Sequence, residues 1–259
     1  MVVYDDIENF NSYKRLFDNF KEVKVSKTKY SIKIDYGKRK VFLNKGGETG
    51  NNSVLQLISK VKKDTENYIQ GNKIETVNSS DIFWYYYNEL TDRNGKQFEV
   101  AKIDLNSAYW TKAINLGIIS KDTIEYFENI KFDSIKEKKG ARLKALGSLA
   151  TVKSIDYYNF GKKNQEFSDL IFNEKYRNLY MYICNSVAED MQTVLGLVNG
   201  VYYYWDCIFV DLDSIQNVSD IFESLGYNFT IEKDTAEVFL SQNISYFYCE
   251  KTGVKYPIN

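Results

Sequence analysis

One stretch of the sequence places a single carboxylate inside a run of strand-forming residues. Tyr202–Val210 reads Tyr-Tyr-Tyr-Trp-Asp-Cys-Ile-Phe-Val, and aromatic and β-branched residues are typical of strands. Gly196, Asn199 and Gly200 come just before it and indicate a break before the chain enters a sheet. An ionised Asp206 beside apolar strands needs a cation or strong hydrogen-bond donors. The local sequence fits an Asp in a tight hairpin turn equally well.

A second predicted strand also ends on an aspartate. Val100–Tyr109 leads from apolar residues through Asp104 into polar residues and the start of a helix. Two carboxylates on separate strands can meet only if the strands are neighbours in the sheet. Adjacent Asp residues are what a pair of Mg²⁺ ions needs for phosphoryl or nucleotidyl transfer.

These residues carry a resemblance to family B DNA polymerases. Residues 104–109, Asp-Leu-Asn-Ser-Ala-Tyr, resemble the first palm motif of that family, Asp-x-x-Ser-Leu-Tyr. Tyr202–Val210 resembles the family's hairpin Tyr-Gly-Asp-Thr-Asp-Ser-Ile-Phe-Val. Asp206 stands at the second Asp of the hairpin motif, which is the metal ligand in the family, and Tyr204 stands at the first. The resemblance covers roughly residues 98–259.

The segment between the two motifs departs further from the family pattern. Residues 142–151 are similar to the fingers motif Lys-x-x-x-Asn-Ser-x-Tyr-Gly. Gly147, Ala150 and Thr151 replace its Asn, Tyr and Gly, and Arg142 and Lys144 flank the place of its Lys.

The resemblance implies an α+β fold, a polymerase palm with an antiparallel sheet backed by helices, short helical fingers and a small N-terminal extension. The implied palm domain is residues 98–259, with a fingers insertion at about 110–155. Residues 1–97 form an N-terminal α/β extension of uncertain fold. An exonuclease domain and the helical thumb of the family are both expected to be absent.

The resemblance also assigns residues to an active site. Asp104 and Asp206 would hold two Mg²⁺ or Mn²⁺ ions, and the Leu105 carbonyl would be a further ligand. Tyr109 would pack under the sugar of the incoming nucleotide and exclude a 2′-hydroxyl. The full set implied for the nucleotide and primer sites is Ser107, Ala108, Tyr109, Lys139, Arg142, Lys144 and Tyr246.

Lys138, Lys139 and Arg142 are spaced to share one side of a predicted helix at residues 134–148. In the resembled family, cations between the two Asp motifs clamp the triphosphate. A solvated basic helix face is the alternative. Tyr246 lies on a strand that resembles a Lys-x-Tyr element, and residues 242–244 supply no Lys.

Composition bounds the kind of protein. The formal net charge is −1, so any contact with nucleic acid must come from local patches. The chain has no His, which excludes His-based catalysis, and its three Cys are widely spaced, which fits a reducing compartment. Neither a membrane span nor a signal peptide is expected. We therefore expect a cytoplasmic protein, in the host cell if the source is a virus or phage.

The expected function is that of a minimal DNA polymerase in DNA replication, which adds deoxynucleotides to a primer 3′ end by a two-metal mechanism. Its partners would be a DNA primer–template and deoxynucleoside triphosphates, with a separate chain supplying a thumb or processivity function. One alternative is a catalytically reduced, polymerase-like binding or structural protein. Another is a primase-like or template-independent nucleotidyl transferase.

The N-terminal half offers weaker signals. Asp5-Asp6-Ile-Glu8 has the spacing of an exonuclease Asp-x-Glu motif, but residues 7–20 have helical periodicity, which favours a helix cap. Residues 23–43 predict two or three antiparallel strands. The Gly-rich residues 46–53 favour an ordinary capped loop over a phosphate site. The aromatic run Phe83–Tyr87 favours core packing over base stacking.

Overall fold

The structure is a computed structural model that describes residues 1–28, 31–44, 52–74, 84–86, 88–171, 173–198, 200–241 and 245–258. For residues 52, 84–86, 88, 89 and 165–171 it describes the backbone alone. The predicted loop at residues 46–51, the position of Asn199 and the side chains of the aromatic run Phe83–Tyr87 lie outside what is described.

The described chain contains thirteen strands and seven α-helices. The strands are β1 (Val2–Asp6), β2 (Val23–Lys27), β3 (Ser31–Asp35), β4 (Lys40–Asn44), β5 (Trp84–Tyr86), β6 (Gln97–Asn106), β7 (Lys153–Asn159), β8 (Lys162–Ile171), β9 (Tyr202–Tyr204), β10 (Cys207–Val210), β11 (Asn228–Phe239), β12 (Tyr246–Cys249) and β13 (Val254–Pro257). The helices are α1 (Phe10–Lys14), α2 (Asn52–Gly71), α3 (Ala108–Asn115), α4 (Lys121–Glu128), α5 (Ile135–Gly147), α6 (Glu174–Leu197) and α7 (Ile215–Ser224). No helix in the described part of the chain combines the length and apolarity that a membrane crossing requires.

The chain forms two compact units, and each is built from two separate segments. The first unit comprises Met1–Ile69 and Lys121–Tyr180, and the second comprises Gln70–Ser120 and Met181–Asn259. This division differs from the predicted boundary between residues 97 and 98. The reason is that β7, which comes late in the chain, pairs with β2, so a segment of the predicted palm region folds with the N-terminal strands.

The first unit contains a six-stranded sheet in the order β1-β4-β3-β2-β7-β8. Strands β2, β3 and β4 are the antiparallel strands predicted for residues 23–43, and β1 joins β4 in parallel. Residues 7–20 do not form the single predicted helix, because Val2–Asp6 pairs as a strand and only short helical turns follow it. Asp6 does cap the first of these turns, where its carboxylate accepts the Glu8 N–H.

The second unit contains a seven-stranded sheet in the order β13-β12-β11-β6-β10-β9-β5. Its centre follows the chain order β6, helix, β9, β10, α7, β11, and these strands lie side by side as β11-β6-β10-β9. The pairs β6–β10, β9–β10 and β6–β11 are all antiparallel. This is the split βαββαβ arrangement, which hosts many unrelated functions. The α+β class with an antiparallel sheet backed by helices is confirmed.

Both faces of the second sheet carry a core, and we call them the helix face and the aromatic face. The helix face packs on α6 and α7 through Ala101, Ile103, Leu105, Val187, Met191, Val194, Tyr203, Ile208, Val210, Val218 and Phe222. The aromatic face includes Tyr202, Phe209, Phe247 and Tyr256, all of them buried.

The sheet curls around its aromatic face. Tyr202 lies on β9 and Pro257 on β13, which are far apart in the strand order. Even so, the Tyr202 hydroxyl donates to the Pro257 carbonyl at 2.6 Å. The ring centroids of Tyr204 and Tyr256 are 5.5 Å apart. The two ends of the sheet therefore approach each other over this face.

Candidate active site

Strand β6 brings Asp104 to the aromatic face of the second sheet. Side chains alternate along a strand, and Ala101, Ile103 and Leu105 occupy the helix face. Lys102 and Asp104 therefore point to the other side, where Lys102 Nζ lies 3.7 Å from Asp104 Oδ2. The Asp104 side chain is 47% exposed, so it is accessible to a ligand in solution.

The hairpin of β9 and β10 brings Asp206 to the same end of β6. Tyr204 pairs with Cys207, so Trp205 and Asp206 are the two residues of the turn. The hairpin interpretation of Asp206 is thus correct, and the Asp also lies beside the neighbouring strand. The Leu105 N–H donates to the Asp206 carbonyl at 2.9 Å, and Cys207 is the register partner of Asp104. The two aspartates are therefore one residue out of register on adjacent chain segments.

Gly200 helps to place this hairpin. A Cβ on Gly200 would lie 2.6 Å from Leu195 Cδ1 and 3.3 Å from Val210 Cγ1. Only a glycine lets the chain pass this closely between α6 and β10. The residue that was recognised in the sequence as a breaker is thus required by close packing.

Backbone strain occurs next to both aspartates. Ser107 has φ +60° and Trp205 has φ +57°. Such conformations cost a non-glycine residue about 1–3 kcal/mol and concentrate at functional sites. The third non-glycine residue with positive φ among the described residues is Phe160, in the tight turn between β7 and β8. Strain near Asp104 and Asp206 is therefore a local feature that sets this end of the sheet apart.

Cys207 reports the electrostatics between the two aspartates. Burial raises the pKa of the Cys207 thiol, the Lys102 charge lowers it, and the charges of Asp104 and Asp206 raise it further. The thiol stays protonated and donates to the Tyr204 carbonyl at 3.2 Å. Both carboxylates thus act on one buried atom from neighbouring strands.

The donor set fits a hard divalent cation. No group of three or more His, Cys, Asp or Glu side chains gathers as a metal site within the described ranges. Mg²⁺, however, is commonly held by one or two carboxylates, with waters and substrate phosphates completing its octahedron. Asp104 has only a loose ion pair at 3.7 Å in this structure. Its oxygens therefore keep the capacity to accept a metal ion.

Ser107, Ala108 and Tyr109 begin helix α3 directly after β6. The Ser107 carbonyl accepts the Trp110 and Thr111 N–H groups at 3.0 Å each, which starts the helix. Ala108 is buried, and Tyr109 is partly buried against the helix-face core. The position of Tyr109 beside a nucleotide sugar stays a prediction.

The predicted basic helix is α5, which lies in the first unit. Lys138 forms an ion pair with Glu128 and lies 5.3 Å from the Phe127 ring centroid. Arg142 lies 5.5 Å from the same centroid, and burial lowers its pKa. Both side chains are therefore engaged with α4, whereas Lys139 and Lys144 are exposed. A role for any of them in binding triphosphate stays a prediction.

Tyr246 lies on β12 in a small aromatic stack. Its ring lies 5.2 Å from that of Phe239 at an interplanar angle of 21°. Lys255 Nζ lies 4.3 Å from the centre of the Tyr246 ring. A cation thus does accompany Tyr246, but it comes from β13, and residues 242–244 lie outside the described chain.

Sequence reasoning missed Lys102, although a signal was present. Lys102 precedes Asp104 by two positions on a strand, which places both side chains on one face. It also missed the strain at Trp205, since backbone angles are not visible in the sequence. Comparison with known proteins gave no matching family model and no matching curated protein.

Proposed function

We propose that the protein is a nucleotidyl transferase that adds deoxynucleotides to a primer 3′ end, with Asp104 and Asp206 holding two divalent cations. The observation that carries this proposal is the convergence of the two aspartates, joined by the hydrogen bond from the Leu105 N–H to the Asp206 carbonyl at 2.9 Å. The split βαββαβ sheet supports it, because the palm of the resembled family requires Asp residues on a central strand and on the neighbouring hairpin.

Each residue would have a defined task. Asp104 and Asp206 would bind the cations and hold them at one end of β6. Bound cations would lower the pKa of the primer 3′-hydroxyl and neutralise charge on the departing pyrophosphate. The Leu105 carbonyl would add a further oxygen, and its N–H already orients the Asp206 backbone. Tyr109 would select the sugar.

Extension of a labelled primer–template tests this proposal. We expect wild-type protein to add nucleotides with Mg²⁺ or Mn²⁺. Asp104→Asn and Asp206→Asn should each reduce the rate at least about a hundredfold, because a catalytic metal supplies several kcal/mol of transition-state stabilisation. Asp220→Asn is the matched control, since Asp220 lies on α7 of the same unit and binds only Gln216 at 2.7 Å. Equal activity of all four proteins would show that the two aspartates are not metal ligands.

One observation favours a second candidate, a polymerase-like protein that binds nucleic acid without catalysis. Lys102 supplies Asp104 with a positive charge from within the chain. A protein that relies on this internal cation has no need of a metal at Asp104. If wild-type protein binds the primer–template and adds no nucleotide with either metal, this candidate is the better account.

A further inference from the structure

Trp205 occupies a position that is poorly suited to a tryptophan. It is the first residue of the two-residue turn between β9 and β10, and its φ is +57°. Glycine, asparagine and aspartate are the residues that usually adopt such angles in hairpin turns, because a larger side chain crowds the following carbonyl. The backbone alone therefore disfavours tryptophan here.

Packing does not compensate for this choice. The two other hairpin aromatics, Tyr202 and Tyr203, are fully buried, and their hydroxyls bond to the Pro257 carbonyl and the Gln192 amide. Trp205 is 40% exposed and meets Tyr204 edge-on, at 6.3 Å between ring centroids. The hairpin core is thus complete without an indole at the turn.

The location of Trp205 suggests what the exposed ring binds. It precedes Asp206 directly, and the Asp206 backbone is bonded to that of Leu105 next to Asp104. An exposed aromatic ring beside two carboxylates suits a ligand that has both a flat ring and phosphates that reach a carboxylate-bound cation. Aromatic side chains stack on any nucleobase, because every base has a π-face.

We propose that Trp205 is a stacking residue for a nucleobase whose sugar–phosphate lies at Asp104 and Asp206. The inference deepens the proposed function and rests on it. The base belongs either to the 3′ end of a nucleic-acid strand or to a free nucleoside triphosphate. Trp205 is thus retained for ligand binding, at the expense of turn geometry.

Binding measurements without catalysis test this assignment. The probes are a labelled short oligothymidylate, the same oligothymidylate with an abasic 3′ end, and thymidine triphosphate, each with Mg²⁺ and no second substrate. The variants are Trp205→Asn, which tolerates the turn geometry without an aromatic ring, and Trp205→Phe, which keeps a ring. Affinity is read from fluorescence anisotropy for the oligonucleotides and from tryptophan quenching for the triphosphate. Melting temperature is measured for every variant.

We expect Trp205→Asn to weaken binding about tenfold or more for the probe that supplies the base, which is the effect of losing one stacked aromatic. Trp205→Phe should stay within about threefold of wild type, since it also presents a ring. The Asn variant should melt at or above the wild-type temperature, because the turn strain is relieved. For a strand end, the abasic oligonucleotide should bind wild type and Asn variant equally.

Three results would overturn the assignment: unchanged affinity of the Asn variant for both base-bearing probes, equal weakness of the Phe and Asn variants, or a clearly lower melting temperature of the Asn variant. The outcome is separable from that of the proposed function. Base-dependent binding through Trp205 without any primer extension counts against catalysis alone. Primer extension with binding that is independent of Trp205 counts against stacking alone.

Discussion

At the scale of single residues, the ion pair of Lys102 and Asp104 is the feature with the most direct consequence for metal binding. Lys102 Nζ lies 3.7 Å from Asp104 Oδ2, and the Lys102 side chain is only 19% exposed. A cation bound at Asp104 meets this ammonium group as a like charge. Lys102 therefore weakens metal binding and also keeps Asp104 ionised when no metal is bound.

We expect Lys102→Met to bind Mn²⁺ about two- to fivefold more tightly than wild type, since partly exposed ion pairs are worth about 1 kcal/mol or less. Electron paramagnetic resonance of free Mn²⁺ measures this affinity without reference to activity. Lys102→Arg keeps the charge and should resemble wild type. Lys96→Met is the control for loss of a lysine, because Lys96 Nζ is exposed and bonds to the Asp92 carbonyl at 2.9 Å. Weaker binding by Lys102→Met would mean that Lys102 supports the metal site.

Tyr109 gives a second expectation at this scale, because a ring at the start of α3 would exclude a 2′-hydroxyl. Tyr109→Ala should raise the ratio of ribonucleotide to deoxynucleotide kcat/KM in single-nucleotide insertion. The variant should also lose about 1–3 kcal/mol of stability, since the ring is partly buried against the helix-face core. Tyr109→Phe keeps the ring and should preserve the ratio. An active Ala variant with an unchanged ratio would leave Tyr109 a packing residue only.

At the scale of helices and strands, local signals predicted much of the structure. A helix was predicted at residues 134–148, and α5 is Ile135–Gly147 with the Ser134 side chain accepting the Glu137 N–H. Such caps depend on a few consecutive residues, so the sequence shows them. The long apolar periodicity of residues 170–197 likewise predicted α6, which begins at Glu174.

Strands whose pairing depends on distant residues were harder to predict. Strand β11 was predicted as a short strand at residues 228–231, with a separate apolar stretch near residue 238. It is continuous as Asn228–Phe239, because its polar middle pairs with β6 from Thr230↔Asp104 to Thr235↔Glu99. Strands β7 and β8 were not predicted. Pairing with a distant strand overrides local propensity here.

The first unit provides a pH-dependent test of one cross-strand cluster. The Asp156 side chain is 7% exposed and lies 2.8 Å from Lys163 Nζ and 3.3 Å from Lys27 Nζ. Burial raises the pKa of Asp156, but the hydrogen bonds from Lys163 and Lys27 outweigh burial, so the pKa is lowered. The carboxylate therefore stabilises the fold above its unfolded pKa of about 3.9, and this contribution is lost as the pH falls through the lower folded pKa.

We expect Asp156→Asn to lower the free energy of unfolding by about 1–3 kcal/mol at neutral pH, the usual range for hydrogen bonds to charged groups. The difference from wild type should hold down to about pH 5 and shrink below about pH 4. Urea unfolding at a series of pH values measures it. Asp133→Asn alters an exposed carboxylate before α5 and should have little effect at any pH. A difference that grows on acidification would contradict the lowered pKa.

At the scale of the whole molecule, the sequence predicted the central pair of the candidate site but not its surroundings. Asp104 and Asp206 were expected on neighbouring strands, and β6 and β10 are paired. The motifs revealed this because each aspartate ends an apolar strand. The engagement of Arg142 with Phe127 was not predictable, since it depends on α4, which is distant in sequence. The division into two units depends in the same way on the pairing of β2 with β7.

Net charge leads to the last expectation, which concerns how the whole protein holds nucleic acid. The chain has 34 Lys and Arg residues against 35 Asp and Glu residues, so its overall field does not attract a polyanion. Each phosphate neutralised by the protein steepens the dependence of log affinity on log salt by about 0.9 for duplex DNA. Few contacts therefore mean a shallow slope and rapid dissociation. We expect primer–template affinity to fall less than about a hundredfold between about 50 and 200 mM salt, which corresponds to about three phosphates or fewer.

Fluorescence anisotropy across the salt series gives this slope, and extension in the presence of excess unlabelled primer–template tests dissociation. With the competitor present, labelled primers should gain about one nucleotide, because the protein leaves after each addition. A loss of affinity of about a thousandfold or more over the same salt range would require six or more phosphate contacts. That result, or long extension products despite the competitor, would show that the charges are concentrated in a strong binding surface even though their sum is near zero.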